Sequence, residues 1–583
     1  MEKKWTSAVS VLVITAMFLG LSGVDGKAAA ERADLVIKNG KIVTLDPAIN
    51  LTEALAVKGN RIKALGTTQE MEALIGPSTK VIDLKGRPVI PGFIEGHGHL
   101  PALGRVQMML DLTMARNWDD IVAMVAEAAQ RVEPGAWIQG WGWHQEKWDK
   151  PPRPVIDGLP THHDLSGISP HNPVRLTHAS GHASFVNGKA LELAGIGPDT
   201  PDPPGGEIVR DPNGQPIGML RESAQDFVRD AFERHQAQRS AEDIRAEQTK
   251  QVQLAMKKAV SHGITTFHDC GVSLDTIDLY KKLADQGLLQ VRLYVMIKPD
   301  KPPFENLPAY RLVDYGNGFL TVRSIKLFMD GALGAHGAWL LEPYTDKPES
   351  TGLPTASIDG MTRAAAFGIE HGFQINTHAI GDRANREVLD LYEKVFRAHP
   401  GQRGLRWRIE HAQHLHPDDI PRFAALGVIA SMQTVHATSD GPWVIKRIGE
   451  QRAREGAYAW RKLWDSKAVV SNGTDAPVED IDPIANFHAA VTRRLPDGSS
   501  FFPEQRLTRE EALKSYTVNN AYAAFEEHIK GTLTPGKLAD MVVLSEDILT
   551  VPEDRIAGAR VLYTIIDGKI VYENDAAIRH GGS

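Results

Sequence analysis

The chain is 583 residues long, 42% hydrophobic and 24% charged, with a formal net charge of -8. That length exceeds one ordinary core, and the balance is that of a soluble globular enzyme. An acidic chain without a Lys/Arg run excludes a sequence-wide nucleic-acid footprint.

Lys3 and Lys4 precede an apolar run over residues 8–21 (AVSVLVITAMFLGL), followed by small and polar residues to Ala28-Ala29-Ala30. A basic start, an apolar stretch of roughly 14 residues and a small-residue exit describe a secretory signal peptide over residues 1–30. The protein is therefore expected to be exported, periplasmic or secreted. The run is shorter than the ~20 residues that cross a bilayer, so no stable membrane association is expected after cleavage. Cys270 is the only cysteine, which excludes an intramolecular disulfide and leaves burial to hold the core.

Residues 33–46 (ADLVIKNGKIVTLD) and 54–66 (ALAVKGNRIKALG) read as short strands, with Asn39-Gly40 and Gly59-Asn60 as turns. The pattern returns at the far end in residues 539–547 (ADMVVLSED) and 561–574 (VLYTIIDGKIVYEN), where Asp567-Gly568 supplies the turn. Residues 31–90 and 526–583 are therefore expected to pair into one small β-sandwich.

The middle, residues 91–525, alternates apolar strand-like runs with helical stretches, as parallel βαβ units do. The runs are VIPGFIEGH, ITTFHDCG, VRLYVM, SIKLFMDG, FQINTHAIGD, RIEHAQ, VIASMQ and VVSNGTDAP. Eight strands close a (β/α)8 TIM-type barrel. Two further pieces, AWIQGWGW and PVRLTHAS, fall between the first and second of these, so residues 105–241 read as a large insertion after barrel strand one. Loops that follow barrel strands lie over the active-site face, and the insertion is expected to cover it. Its Pro/Gly-rich segment, residues 198–216, reads as an exposed loop or lid.

His97 and His99 end the first strand two residues apart, so both rings point to one face and can reach one metal ion. His414 and His416 repeat the spacing but lead into PDDIPRF, a loop entering a helix, and are expected at the surface. His378, His411 and Asp475 each stand where another apolar strand runs out. Each alone reads as a hydrogen-bonded histidine or a helix cap. Four strands doing so together point to convergence on a shared metal. Lys326 interrupts the apolar strand SIKLFMDG, where a bare ammonium is expensive; pairing with Asp330 is the plain account of it.

Together with these residues, the segments PGFIEGHGHL, WIQGWGW, SGHASFVNGKAL, IKLFMDGALG, NTHAIGDRAN, RIEHAQ, SMQTVHATSD, SNGTDAPVED and GTLTPGKLADMVVL make the chain resemble the amidohydrolase superfamily, specifically the formamide-deformylase-like branch called amidohydrolase family 3. The resemblance spans nearly the whole chain after the signal. It implies a (β/α)8 barrel beside a β-sandwich made of both termini, with metal ligands at His97, His99, His378, His411 and Asp475. It also implies that Lys326 carries a CO2-derived carbamate bridging two divalent ions. The usual Asp-x-His-x-His start is here Glu95-Gly96-His97-Gly98-His99, which departs from the pattern but keeps both ligands.

The expected chemistry is hydrolysis of an amide-type carbon–nitrogen bond of a small molecule. Water activated by one or two divalent ions, zinc being the expected metal, attacks the carbonyl carbon. Asp475 takes the water's proton and passes it to the leaving nitrogen. His182, in the covering insertion, is assigned to the substrate carbonyl or its oxyanion. Trp143 belongs to a cluster with Trp137, Trp141 and Trp148 that would wall the pocket, or simply pack. Gln433 and His436, just past the seventh strand, are expected to touch substrate, and His268-Asp269 forms a supporting pair. A deaminase with a mononuclear site on the same barrel is one alternative, and an exported binding or regulatory protein with a dead site is another. A homo-oligomer is compatible with the sequence.

Overall fold

The computed structural model describes residues 31–583, except 144, 146, 147, 154, 157, 179–182, 204, 205, 300–303, 335, 576, 577, 579–583 and the side chain of Glu222. The predicted signal segment and His182 lie outside the described residues. Among those described, no helix is long and apolar enough to cross a membrane.

Eight parallel strands form the centre, running in chain order around one sheet: Phe93–Gly98, Ile264–Val272, Arg292–Ile297, Leu320–Phe328, Gln374–Ala379, Arg408–His411, Ile429–Met432 and Val470–Asn472. They are the eight strands anticipated from the apolar runs. Their near-continuous burial, complete for Phe93–Gly98 and Arg292–Ile297, follows from being covered on both faces. The last strand returns to the first just beyond its own end. A bridge links Gly98 to Ala476, Asp475 N–H donates to His97 O at 2.7 Å, and His99 N–H donates to Ala476 O at 2.7 Å. Two glycines permit this seam: a Cβ on Gly96 would lie 2.4 Å from Asn472 O, and one on Gly473 would lie 2.4 Å from His97 N.

The connecting helices carry ordinary start signals. Ala241–Ser261 begins at Ser240, whose side chain accepts from Asp243 N–H, and Ile358–His371 begins at Ser357 and stops at Gly372 in the left-handed region.

Both chain ends build a sandwich. In one sheet, Met541–Leu544 from the far end pairs antiparallel with Pro88–Pro91 from the near end, Val543 opposite Val89. The other sheet holds four N-terminal strands. Leu35, Ile37, Leu55, Met541, Val543 and Ile565 share one core between the sheets.

The insertion is a folded layer. Where two strand-like pieces are visible in the sequence, the structure has a six-stranded mixed sheet with its own apolar cores, among them Trp118, Trp143, Leu176 and Phe185. The Pro/Gly-rich segment read as a loop contains a strand, Gly206–Arg210, which forms a hairpin with Pro216–Glu222 around Gly214. Asp211 Oδ1 accepts from Asn213 and Gln215 N–H in that turn, an Asx device that a composition count registers only as loop.

Candidate functional site

The strand ends converge as the spacing requires. His97, His411 and Asp475, from the first, sixth and eighth strands, present ligand atoms that all lie within 4.8 Å of one another. His99 Nε2 lies 3.1 Å from Asp475 Oδ1, and Lys326 Nζ lies 3.4 Å from His97 Nε2. The His378 ring packs on that of His411 at 4.5 Å between centroids. All of these but the fully buried His97, with Phe328, Trp443 and His436, border a cavity of about 700 Å³ at the C-terminal outlet of the barrel. Two of the six sit on backbone that L-residues rarely adopt, His411 with φ 76° and Asp475 with φ 60°. Such strain is held only where surrounding structure over-determines it, and it turns both side chains inward.

The protonation pattern suits ligation. Burial, reinforced by the Lys326 ammonium, holds His97 below the usual imidazole range, and burial followed by the same lysine brings His378 down to about 3. Burial and the neighbouring His378 and His97 rings hold His411 well below it. Neutral rings keep lone pairs for a cation. Burial pushes the Asp475 carboxyl up, but the His99, His97 and His411 rings outweigh it and keep the group well below the usual carboxylate range. Asp475 Oδ1 and His378 Nε2 are buried and make no hydrogen bond of good geometry. Orphaned acceptors beside neutral imidazoles are costly unless a cation joins them, so the residues present fit a divalent metal.

Lys326 is 2% exposed and has no acidic partner among the described residues. The expected partner, Asp330, is engaged elsewhere: its carboxylate accepts from Ile380 N–H at 3.0 Å, Gly381 N–H at 2.8 Å and Trp339 N–H at 2.9 Å. Asp330 thus ties together the loops after the fourth and fifth strands, and burial, opposed by those amides, raises its carboxyl to about 7.

Glu410 is a functional residue the sequence reading passed over. His97 Nδ1–H donates to its carboxylate at 2.5 Å, both side chains fully buried. Burial raises Glu410, but the His97 ring, Arg408 and Lys326 more than offset it and bring the carboxyl to about 2. The pair fixes the His97 tautomer and leaves Nε2 facing the site. The signal was present: a glutamate inside the apolar strand before His411 is as expensive as Lys326 is in its own. Glu95, standing where an aspartate is usual, accepts from Thr474 N–H at 2.6 Å and Thr474 Oγ1–H at 3.1 Å. It locks the first strand to the eighth behind the histidines.

Several other expectations need correcting. Trp143 is 2% exposed, its Nε1–H donates to Leu176 O at 2.9 Å, and it packs on Phe185 inside the inserted sheet. It is a core residue and does not line the cavity. The register shifts between Trp141 and Trp143 at Gly142, whose φ is +97°, so the two tryptophans do not share a face as residues two apart in a regular strand would. Trp141 instead lines an adjoining space of about 560 Å³ between the insertion and the 477–480 loop. Among the described residues, the insertion meets the rim there and supplies no wall of the larger cavity. Gln433 is buried and accepts from His411 Nδ1–H at 2.8 Å, which makes it a support for a site histidine rather than a substrate contact. His436 does line the cavity. His414 is 3% exposed rather than superficial, because the chain after the sixth strand turns inward and bridges to Ala457. His268 contacts Arg408 on the sixth strand, while Asp269 accepts from Leu100 N–H and Tyr280 O–H in the helices after the first and second strands, so the two act separately.

Neutral imidazoles and an ionised carboxylate, gathered from four strands at the outlet of a parallel barrel, are the arrangement of a metal-dependent hydrolase. Comparison with known proteins agrees. The family model described as "Amidohydrolase family" matches residues 80–572, and the chain belongs to that family. It is 32% identical over 556 residues to Protein LONG AFTER FAR-RED 3 of Arabidopsis thaliana, covering 93% of this chain and 92% of that one. It is 27% identical over 547 residues to N-substituted formamide deformylase of Arthrobacter pascens, covering 93% and 98%. Among solved structures, an uncharacterized metal-dependent hydrolase from Pyrococcus horikoshii superposes with a TM-score of 0.72 at 26% identity, covering 89% of this chain and 99% of that one.

Proposed function

We propose that the protein hydrolyses an amide-type carbon–nitrogen bond of a small molecule, N-substituted formamides being the first class to try, in view of the relative that acts on them. His97, His99, His378, His411 and Asp475 would hold one or two divalent ions, zinc being the expected metal, with Lys326 completing the set. A bound divalent ion supplies Lewis acidity, activating water near neutral pH and polarising the carbonyl. Asp475 is the acid/base: ionised and buried, it accepts the proton of the attacking water at its carboxylate and delivers it to the departing nitrogen. Lys326 Nζ, close to His97 and without an acidic partner among the described residues, would add CO2; starting from the ammonium, the step releases two protons and leaves an anionic carbamate. Phe328 and Trp443 supply apolar wall that limits water around the bond. The basic and apolar start of the chain supports export, so the enzyme would act outside the cytoplasm.

The observation that carries this reading is the pair of orphaned buried atoms, Asp475 Oδ1 and His378 Nε2, among imidazoles held neutral. The test is metal analysis of the purified protein followed by a screen of N-substituted amides for amine release. One or two equivalents of metal and amine release dependent on it are expected. Ammonia release from an amidine-like ring with a single ion would replace this reading with a deaminase, and no metal above background would end it.

A further inference from the structure

The ends of the sixth and seventh strands exchange two glutamine–histidine pairs. His411 Nδ1 lies 2.8 Å from Gln433 Oε1, and Gln413 Nε2 lies 2.9 Å from His436 Nδ1. All four side chains are buried, Gln413 at 5% and His436 at 6% exposure. The two histidine rings lie nearly parallel, 6.4 Å apart at 18°. The pairs look alike but run in opposite senses.

A neutral imidazole has one N–H and one lone pair, so the partner at Nδ1 decides what Nε2 can do. Gln433 offers its carbonyl, and its own Nε2–H donates to Ser431 O at 3.3 Å, which holds the amide in that orientation. His411 must therefore be protonated at Nδ1, and its Nε2 keeps a lone pair. Gln413 turns its Nε2–H toward His436 Nδ1 instead, which makes Nδ1 the acceptor and puts the proton on Nε2. That Nε2 is buried without a hydrogen-bond partner, in a ring that borders the cavity beside His99, His411 and Asp475. A polar group left open in an otherwise satisfied network is the one available to a ligand.

We infer that Gln413 is a positioning residue that locks His436 as its Nε2–H tautomer, so that His436 presents a fixed hydrogen-bond donor to the carbonyl oxygen of the substrate and to the oxyanion it becomes. Gln433 sets His411 the other way, as an electron-pair ligand. The inference rests on the amide-hydrolysis reading for the identity of the oxygen, but the tautomer itself is independent of it. A donor aimed beforehand at developing charge needs no reorganisation at the moment of reaction, which is how such groups accelerate acyl transfer.

Two measurements test this. In 15N-histidine-labelled protein loaded with zinc alone, the His436 ring, assigned by its absence in His436→Phe, is expected to show the proton on Nε2. A proton on Nδ1 overturns the inference. The second measurement makes one chemical change at two places. Gln413→Glu replaces the donor by an acceptor and forces the His436 proton to Nδ1. With an amide the wild type hydrolyses, kcat is expected to fall about 100-fold, with KM little changed and zinc content intact. Gln433→Glu still accepts from His411 and is expected to keep the His411 tautomer and the zinc. Equal losses of zinc in the two variants, or an unchanged kcat in Gln413→Glu, would reduce the pairs to packing and overturn the proposal. If no amide is turned over even by the wild type, the proposed reaction fails, while the ring spectrum still decides the tautomer.

Discussion

The barrel buries ionisable clusters at both ends, and they are built on opposite plans. At the N-terminal end, Arg292 opens the third strand and reaches the sandwich. Its Nε–H donates to Asp540 Oδ2 at 2.7 Å, its Nη2 also pairs with Asp567, and its Nη1–H donates to Gly318 O at 3.2 Å. Asp540 Oδ1 accepts in turn from Asp567 N–H at 2.9 Å. Burial pulls Arg292 down, yet Asp540 and Asp567 hold it above its ordinary range. At the C-terminal end, by contrast, Asp475 Oδ1, His378 Nε2, His436 Nε2 and Glu410 Oε1 make no hydrogen bond of good geometry. A closed network spends its polarity on holding two domains together, whereas an open one keeps it for something that arrives from outside. The division matches the general rule that the strand-end face of such barrels carries chemistry and the opposite face carries stability.

The comparison can be broken most decisively at Asp475. Asp475→Asn is expected to lower kcat by about 10³–10⁴-fold while the unfolding midpoint in urea moves little; turnover within tenfold of wild type would remove the distinction. At the other end, Arg292→Met is expected to cost about 3–5 kcal/mol of stability, because it strands two carboxylates. Metal content per folded molecule should be unchanged, and urea unfolding together with metal analysis reads both. Glu410→Gln sits between the two plans. It is expected to weaken metal affinity by about 10–100-fold through the slackened His97 ring, measured by chelator competition; unchanged affinity would make Glu410 a purely structural carboxylate. The smallest effect is on pH dependence. Burial raises the Asp540 carboxyl, but Arg292 outweighs it and the net position is below the ordinary value. A depressed carboxyl contributes stability that is present above the unfolded-state value near ~4 and is lost as pH falls through the folded one. The stability gap between wild type and Asp540→Asn should therefore narrow on acidification, and urea titrations at pH 6 and pH 3 would show a constant gap if the idea is wrong.

Much of the rim was legible because its cost shows in one dimension. A lysine inside SIKLFMDG and histidines that end buried runs are anomalous wherever the chain goes, and eight apolar runs with helical spacers leave few architectures. Glu410 carries the same signal, but its partner His97 stands 313 positions away, so its role is not visible along the chain. For Trp143 the sequence left walling the pocket and packing both open, and the burial of the inserted sheet decides for packing. His414 was misjudged because a polar string after a strand looks like a surface loop until the turn that buries it is known.

Taken alone, the order of residues marks the eight barrel strands, the two β-rich ends and the costly side chains at the strand ends, since burial cost and periodicity are local properties. The partners of those side chains are decided only in three dimensions: Glu410 on His97 across 313 positions, Arg292 on Asp540 across 248, and the opposed amides of Gln413 and Gln433. A hydrogen bond depends on distance and on which end of a group is presented. Neither is written along a chain until packing has brought distant strands side by side.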